Sequence, residues 1–198
     1  MENTENFVFK ESGITLTDKI LAATVLKLFP QKITPNQITI FRLFMAPVAT
    51  FFIYAEIYSV AIPLFIITAF SDALDGALAR TRNKVTEWGK IYDPFADKLF
   101  IGLAAVVIIP RYLNSWLAFS IIFIEMLLIG LAYYLKNKGK LKITANRWGK
   151  IKMFLQSAGI ILLLIGAAAN FPIAIFCAQY FIYAALIFAI ISLITYGI

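Results

Sequence analysis

The chain has 198 residues, 61% of them hydrophobic and 15% charged, with a mean hydropathy of +0.83; soluble domains are about 45–50% apolar and about 25% charged. A water-soluble globule is therefore excluded, and a polytopic membrane protein is expected. The chain has no histidine and a net charge of +7. The first removes the commonest general base and any His-rich metal site; the second points to anionic headgroups or phosphorylated substrates, and no nucleic-acid partner is expected.

Residues 1–14 read as a polar tail, since MENTENFVFKESG has no short apolar run followed by a small-residue cleavage site. No removable signal peptide is expected, and the first membrane helix serves as its own insertion signal. Residues 15–30 contain TLTDKILAATVLKLF, where Thr15 and Asp18 have capping-box spacing with Asp in place of Glu or Gln. Ile20, Leu21, Val25, Leu28 and Phe29 gather on one side, and Lys19 and Lys27 lie near the flanks, which suits an amphipathic helix lying in the interface.

A helix needs about 20 apolar residues to cross a bilayer core. Segments near 37–57, 59–81, 90–110, 112–134, 149–169 and 171–197 qualify. The expected fold is an all-α membrane protein, with six transmembrane helices after the interfacial helix and residues 35–198 forming one membrane domain. No fixed-period repeat or soluble domain interrupts it. Cys177, the single cysteine, lies in an apolar run and reads as a buried structural thiol.

The basic residues orient the bundle. Lys10, Lys19, Lys27 and Lys32 precede the first span; Arg80, Arg82, Lys84 and Lys90 lie between the second and third. Lys136, Lys138, Lys140, Lys142, Arg147, Lys150 and Lys152 lie between the fourth and fifth, whereas the opposite connections offer only Arg111. This asymmetry places both termini and the basic loops in the cytoplasm.

SDALDGALARTRNKVTEWGKIYDPFADK, residues 71–98, carries four aspartates at membrane depth. A carboxylate at helix centre costs a few kcal/mol, so such groups face a cavity or a partner. Asp72 and Asp75 share one face of the second span at i and i+3, and Asp93 and Asp97 share one face of the third at i and i+4. The short connection makes these spans antiparallel neighbours, so the pairs converge at one end. Four acids so close repel unless protons or cations neutralise them. Arg80 and Lys98 could supply part of that charge; oxygen-only ligands favour Mg²⁺, Mn²⁺ or Ca²⁺, and a two-metal cluster accounts for the convergence. Gly76 and Ala79, on or beside the same face, remove bulk where a nucleotide or a helix approaches.

The pattern Asp72-x2-Asp75-Gly76-x2-Ala79-Arg80-x8-Gly89-x3-Asp93-x3-Asp97 resembles the full signature of the CDP-alcohol phosphotransferase family. The resemblance implies that a CDP-linked lipid donates its phosphatidyl group to an alcohol and CMP leaves. It assigns Asp72, Asp75, Asp93 and Asp97 to a site for Mg²⁺ or Mn²⁺, two ions in all, with Asp97 also the general base. PNQITIFRLFMAP is similar to the family's PNxxTxxRxxxxP opening. By that resemblance Asn36, Thr39, Gly76, Ala79, Arg80 and Thr86 bind the CDP-lipid, CDP-diacylglycerol, and the protein is a homodimer. The plain readings are a turn before a helix for Pro35-Asn36 and a snorkelling or interhelical partner for Arg42.

ITANRWGKIKMFLQ, residues 143–156, resembles the GKxKTxxQ segment of phosphatidylglycerophosphate synthases, matching at Gly149, Lys150, Lys152 and Gln156. Arg147, Lys150 and Lys152 at a helix N-terminus suit an acceptor phosphate; positive-inside anchoring is the plain alternative. The preferred acceptor is glycerol 3-phosphate, with an inositol phosphate or other phosphorylated polyol next, then phosphatidylglycerol as in a cardiolipin synthase. Met153 stands where those synthases have Thr, and Ile124 where they commonly have Arg before Glu125. Glu125 is expected to be protonated or paired with Arg42 or Lys98. A cation or proton transporter is the competing class, but the fifth and sixth spans carry almost no polar side chains to continue a pathway.

Overall fold

Thr34 begins the helical bundle. Its hydroxyl accepts from the Gln37 amide at 3.4 Å while the Gln37 side chain accepts from the Thr34 amide at 2.9 Å. Pro35 follows at the first helical position, where a missing N–H costs no hydrogen bond. In the computed structural model, which describes residues 21, 23–27, 30, 33–82, 86–137 and 147–195, this cap opens α1, Pro35–Tyr54. There follow α2, Tyr58–Thr81; α3, Glu87–Tyr112; α4, Ser115–Asn137; α5, Arg147–Ala169; and α6, Pro172–Thr195.

Each break has a local cause. After α1 the chain turns at Glu56, whose φ of 59° is left-handed. Arg111, the one basic residue expected at this end, donates to the carbonyls of Ile53 at 3.2 Å and Tyr54 at 2.8 Å, placing a cation on the open carbonyls of a helix C-terminus. Thr86 caps α3 by accepting from the Gly89 amide at 3.0 Å. Asn114 accepts from the Trp116 amide at 2.9 Å and starts α4, so that helix begins at Ser115 rather than 112. Between α5 and α6, Asn170 is left-handed at φ 49°, and the Phe171 amide reaches back to the Gly166 carbonyl at 2.9 Å, the Schellman pattern of a helix stop.

Among the described residues, α1, α2, α6 and the stretch Trp148–Ala169 of α5 are long and apolar enough to cross a membrane, and Ser115–Leu131 of α4 is a shorter apolar stretch. Charged side chains interrupt the apolar character of α3 near both ends. The expected interfacial helix at 15–30 and the polar tail fall mostly outside the described residues. Val25–Lys27 forms a 3-10 turn, and Leu26 is buried with Ile38, Leu74, Ala77 and Leu78.

α1 packs on both α2 and α3, α5 packs on α2 and α3, and α4 bridges α3 to α6. The core is apolar, with Ile53, Phe65, Ile108, Leu163, Leu164 and Ile182 fully buried. Phe44, Phe51, Trp116 and Phe154 point outward, a perimeter suited to lipid rather than water. Cys177 is exposed, contrary to the buried thiol expected: α6 buries only the stripe containing Ala174, Ala178, Ile182 and Ala185, and an apolar run does not reveal which of its faces is covered.

α5 and α6 form the most extensive helix pair. A Cβ on Gly159 would lie 2.6 Å from Ile182 Cδ1, and one on Gly166 would lie 2.7 Å from Ile175 Cγ1 and 3.1 Å from the Ile175 backbone nitrogen. Small residues are what let such backbones approach. Gly166→Val is therefore expected to cost about 1–3 kcal/mol through overpacking, seen as a lower unfolding temperature in detergent. Gly130→Val, where nothing lies within 4 Å of the added carbon, should leave that temperature unchanged.

Candidate active site

The aspartates converge at the end of the bundle where α1 begins, α2 ends and α3 begins. A fully buried guanidinium from α1 joins them. Arg42 donates through Nη1 to Asp72 at 3.1 Å and to Asp97, through Nη2 to Asp75 at 2.5 Å, and through Nε to Ser71 Oγ at 3.2 Å. Asp75 is buried, the Asp97 side chain is 14% exposed and the Asp72 side chain is 51% exposed. The cluster is thus sealed on the protein side and open at Asp72. Asp93 is held separately: Thr39, one helical turn before Arg42 on α1, donates to its Oδ1 at 2.6 Å.

These contacts change the expected electrostatics. Besides Arg80 and Lys98, which could supply part of the counter-charge, Arg42 stands among the carboxylates, because α1 packs on both aspartate-bearing helices and points Thr39 and Arg42 between them. Of the plain readings of Arg42, interhelical partner is the one observed. Its signal was present in the sequence: a lone cation within an apolar helix needs an anionic partner.

The residues expected to bind CDP-lipid flank this cluster. Thr86 donates to Asn36 Oδ1 at 2.7 Å, tying the start of α3 to the start of α1. Gly89 lies against both: a Cβ there would sit 3.1 Å from Thr86 Oγ1 and 3.2 Å from Asp93 Oδ2. On α2 a Cβ at Gly76 would meet the Arg80 guanidinium at 3.1 Å, so the missing side chain makes room for that fork. Ala79 is half-buried beside it. Asn36, Thr39, Thr86, Gly89 and Asp93 are therefore contiguous, with Gly76 and Arg80 on the neighbouring helix.

A second polar group sits where α3, α4 and α5 meet. Lys152 is buried and pairs with Glu125; the expected partners of Glu125 were Arg42 or Lys98. A cavity of about 270 Å³ opens beside the pair, with Asp97, Lys98, Glu125 and Gln156 among its lining and mostly apolar walls. Glu125 Oε2 and Gln156 Oε1 are buried acceptors that receive no hydrogen bond among the described residues. Of the other basic residues assigned to an acceptor phosphate, Lys150 is exposed and the Arg147 side chain lies outside the described residues. Ile124, at the position of the expected arginine, packs with Leu128 and Ala189.

The family model described as CDP-alcohol phosphatidyltransferase matches residues 32–194, from just before the Thr34 cap to nearly the end of α6. The chain belongs to the CDP-alcohol phosphatidyltransferase family. Relatives in this family carry the name CDP-diacylglycerol–glycerol-3-phosphate 3-phosphatidyltransferase. The protein of that name from Rickettsia typhi is 30% identical over 140 residues, covering 69% of this chain and 78% of its own. Those from Bacillus subtilis and Salmonella typhimurium are 33% and 32% identical, over 66% of this chain and 76% and 75% of their own. The present CDP-alcohol phosphatidyltransferase is an integral membrane enzyme of phospholipid biosynthesis, and its matched region contains both polar clusters described above.

Proposed function

We propose that the protein transfers the phosphatidyl group of CDP-diacylglycerol to glycerol 3-phosphate, giving phosphatidylglycerophosphate and CMP. The observation that carries this reading is the meeting of Asp72 and Asp75 from α2 with Asp97 from α3 around one buried cation, in a chain whose relatives are named for that reaction. An acceptor hydroxyl attacks the phosphorus that bears the diacylglycerol, the bond from that phosphorus to CMP breaks, and the hydroxyl proton passes to the Asp97 carboxylate. CMP leaves with the electron pair of the broken bond.

The donor set suits a hard divalent cation. All the candidate ligands are carboxylates, Asp72 is open to the outside, and the bare backbone of Gly89 leaves space beside Asp93. Asp72, Asp75, Asp93 and Asp97 would hold Mg²⁺ or Mn²⁺, two ions by family resemblance, which supply stabilisation of the charge that grows on the leaving phosphate. Arg80 offers a two-pronged donor to the donor substrate's phosphates, and Asn36, Thr39, Gly76, Ala79 and Thr86 surround the cytidine end. Asp97 is a weak base, so positioning contributes much of the acceleration.

Lys152, paired with Glu125 near Asp97's helix, would with Lys150 and Arg147 at the start of α5 draw the acceptor's phosphate. All six helices cross the membrane in this reading, after an interfacial helix at 15–30, with both termini and the active site cytoplasmic, as the basic loops direct. The enzyme works as a homodimer in the cell membrane.

The deciding experiment supplies purified protein and CDP-diacylglycerol with radiolabelled glycerol 3-phosphate, inositol phosphate or phosphatidylglycerol in turn. CMP release and labelled lipid are expected with glycerol 3-phosphate. Turnover with another acceptor and none with glycerol 3-phosphate would overturn the assignment.

A further inference from the structure

Arg42 does more than pair with one acid. Its side chain is fully buried, its Nε is fixed by Ser71 Oγ, and Ser71 itself donates to the Thr68 carbonyl at 2.7 Å. The plane of the guanidinium is thereby set, and its two ends reach carboxylates from two helices: Asp72 and Asp75 on α2, and Asp97 on α3. A guanidinium keeps its charge at any pH the protein experiences. Arg42 thus meets three of the four acids, while Thr39 holds the fourth, Asp93.

We propose that Arg42 is a positioning residue that acts as the resident counter-charge of the aspartate cluster, competing with divalent cations for the same carboxylate oxygens and so setting how tightly those cations bind. The inference rests on reading the aspartates as metal ligands. Without Arg42 the acids of α2 and α3 would repel one another, so α1, which packs on both helices, is held to them by charge as well as by packing. With Arg42 in place, each incoming cation meets oxygens already engaged by a positive group, and its affinity is lowered to a range in which it can exchange. A purely structural arginine predicts the opposite, because its loss would disorder the ligands and weaken metal binding.

The test uses the full-length protein in detergent without substrate, with Mn²⁺ binding followed by the loss of the free-ion electron paramagnetic resonance signal. Arg42→Gln is expected to bind Mn²⁺ about tenfold more tightly than the parent, and to unfold at a lower temperature in EDTA, a gap that Mn²⁺ closes. Arg42→Lys keeps the charge but loses the fork, and should tighten Mn²⁺ binding about threefold. Unchanged or weaker binding in Arg42→Gln overturns the proposal. If Arg42→Gln folds only with Mn²⁺ present, the proposal stands; if it does not fold even then, Arg42→Lys decides, and unchanged or weaker binding there overturns it. A parent protein that binds no Mn²⁺ overturns both this proposal and the metal-ligand reading beneath it, whereas a parent that binds and variants that do not tighten overturn this one alone.

Discussion

Asp97→Asn is expected to lower CMP release by about 10²–10⁴-fold, the range that a positioned general base contributes. The substitution keeps the shape of the side chain and leaves Asp72, Asp75 and Asp93 in place, while a carboxamide does not take the proton from the attacking hydroxyl. Asp97 is suited to the task by position: its carboxylate meets Arg42 on one side and lines the cavity between α3, α4 and α5 on the other, so it is the one aspartate of the cluster that borders both. Binding of CDP-diacylglycerol, read as a rise in unfolding temperature, should persist in the variant. Turnover equal to that of the parent would remove Asp97 from the role of base and shift attention to a neighbouring carboxylate.

Lys152→Met is the second substitution with a large expected effect, and it acts first on stability. Lys152 is 4% exposed and Glu125 14% exposed, and they pair inside the bundle. Removing one partner of a buried pair leaves the other uncompensated and costs about 3–5 kcal/mol, toward the lower end where the reference state in the membrane also finds partners. Glu125→Gln added to Lys152→Met removes the stranded charge and should restore most of the loss in a detergent unfolding experiment. Equal damage in the single and double variants would show that the pair is not the unit that matters. The double variant then reports on function with the fold intact, where a raised KM for glycerol 3-phosphate and an unchanged KM for CDP-diacylglycerol is the expected result.

The aspartate spacing was informative because helix geometry converts it directly into placement: residues three and four apart share a face. The start of α1 was less legible: in sequence Pro35-Asn36 reads as a turn before a span near 37, whereas Thr34 caps a helix that Pro35 opens. Arg42 was harder to place. Its need for an anion could be inferred from an apolar helix, but four acids, Glu125 and the headgroup region all offered one. Choosing among them required knowing that α1 lies against α2 and α3 together. Glu125 posed the same difficulty, since Lys152, its partner in the structure, lies 27 positions away on another helix, and in sequence that lysine reads equally well as a loop anchor. Cys177 failed for a different reason: in lipid both faces of a helix are apolar, so hydrophobic pattern does not separate core from perimeter.

The sequence by itself determined that the chain is helical and built for a membrane, that its acids fall into two helix-borne pairs, and that the pattern they form is that of a CDP-alcohol phosphatidyltransferase. Each of these depends on composition or on spacing along one helix. Only the tertiary structure decided which charges meet: Arg42 among Asp72, Asp75 and Asp97, Thr39 on Asp93, Lys152 on Glu125, and the cavity that borders Asp97. Pairings between helices depend on their packing and rotation, and those are set by side-chain volumes summed over the whole bundle, including the close approach at Gly159 and Gly166.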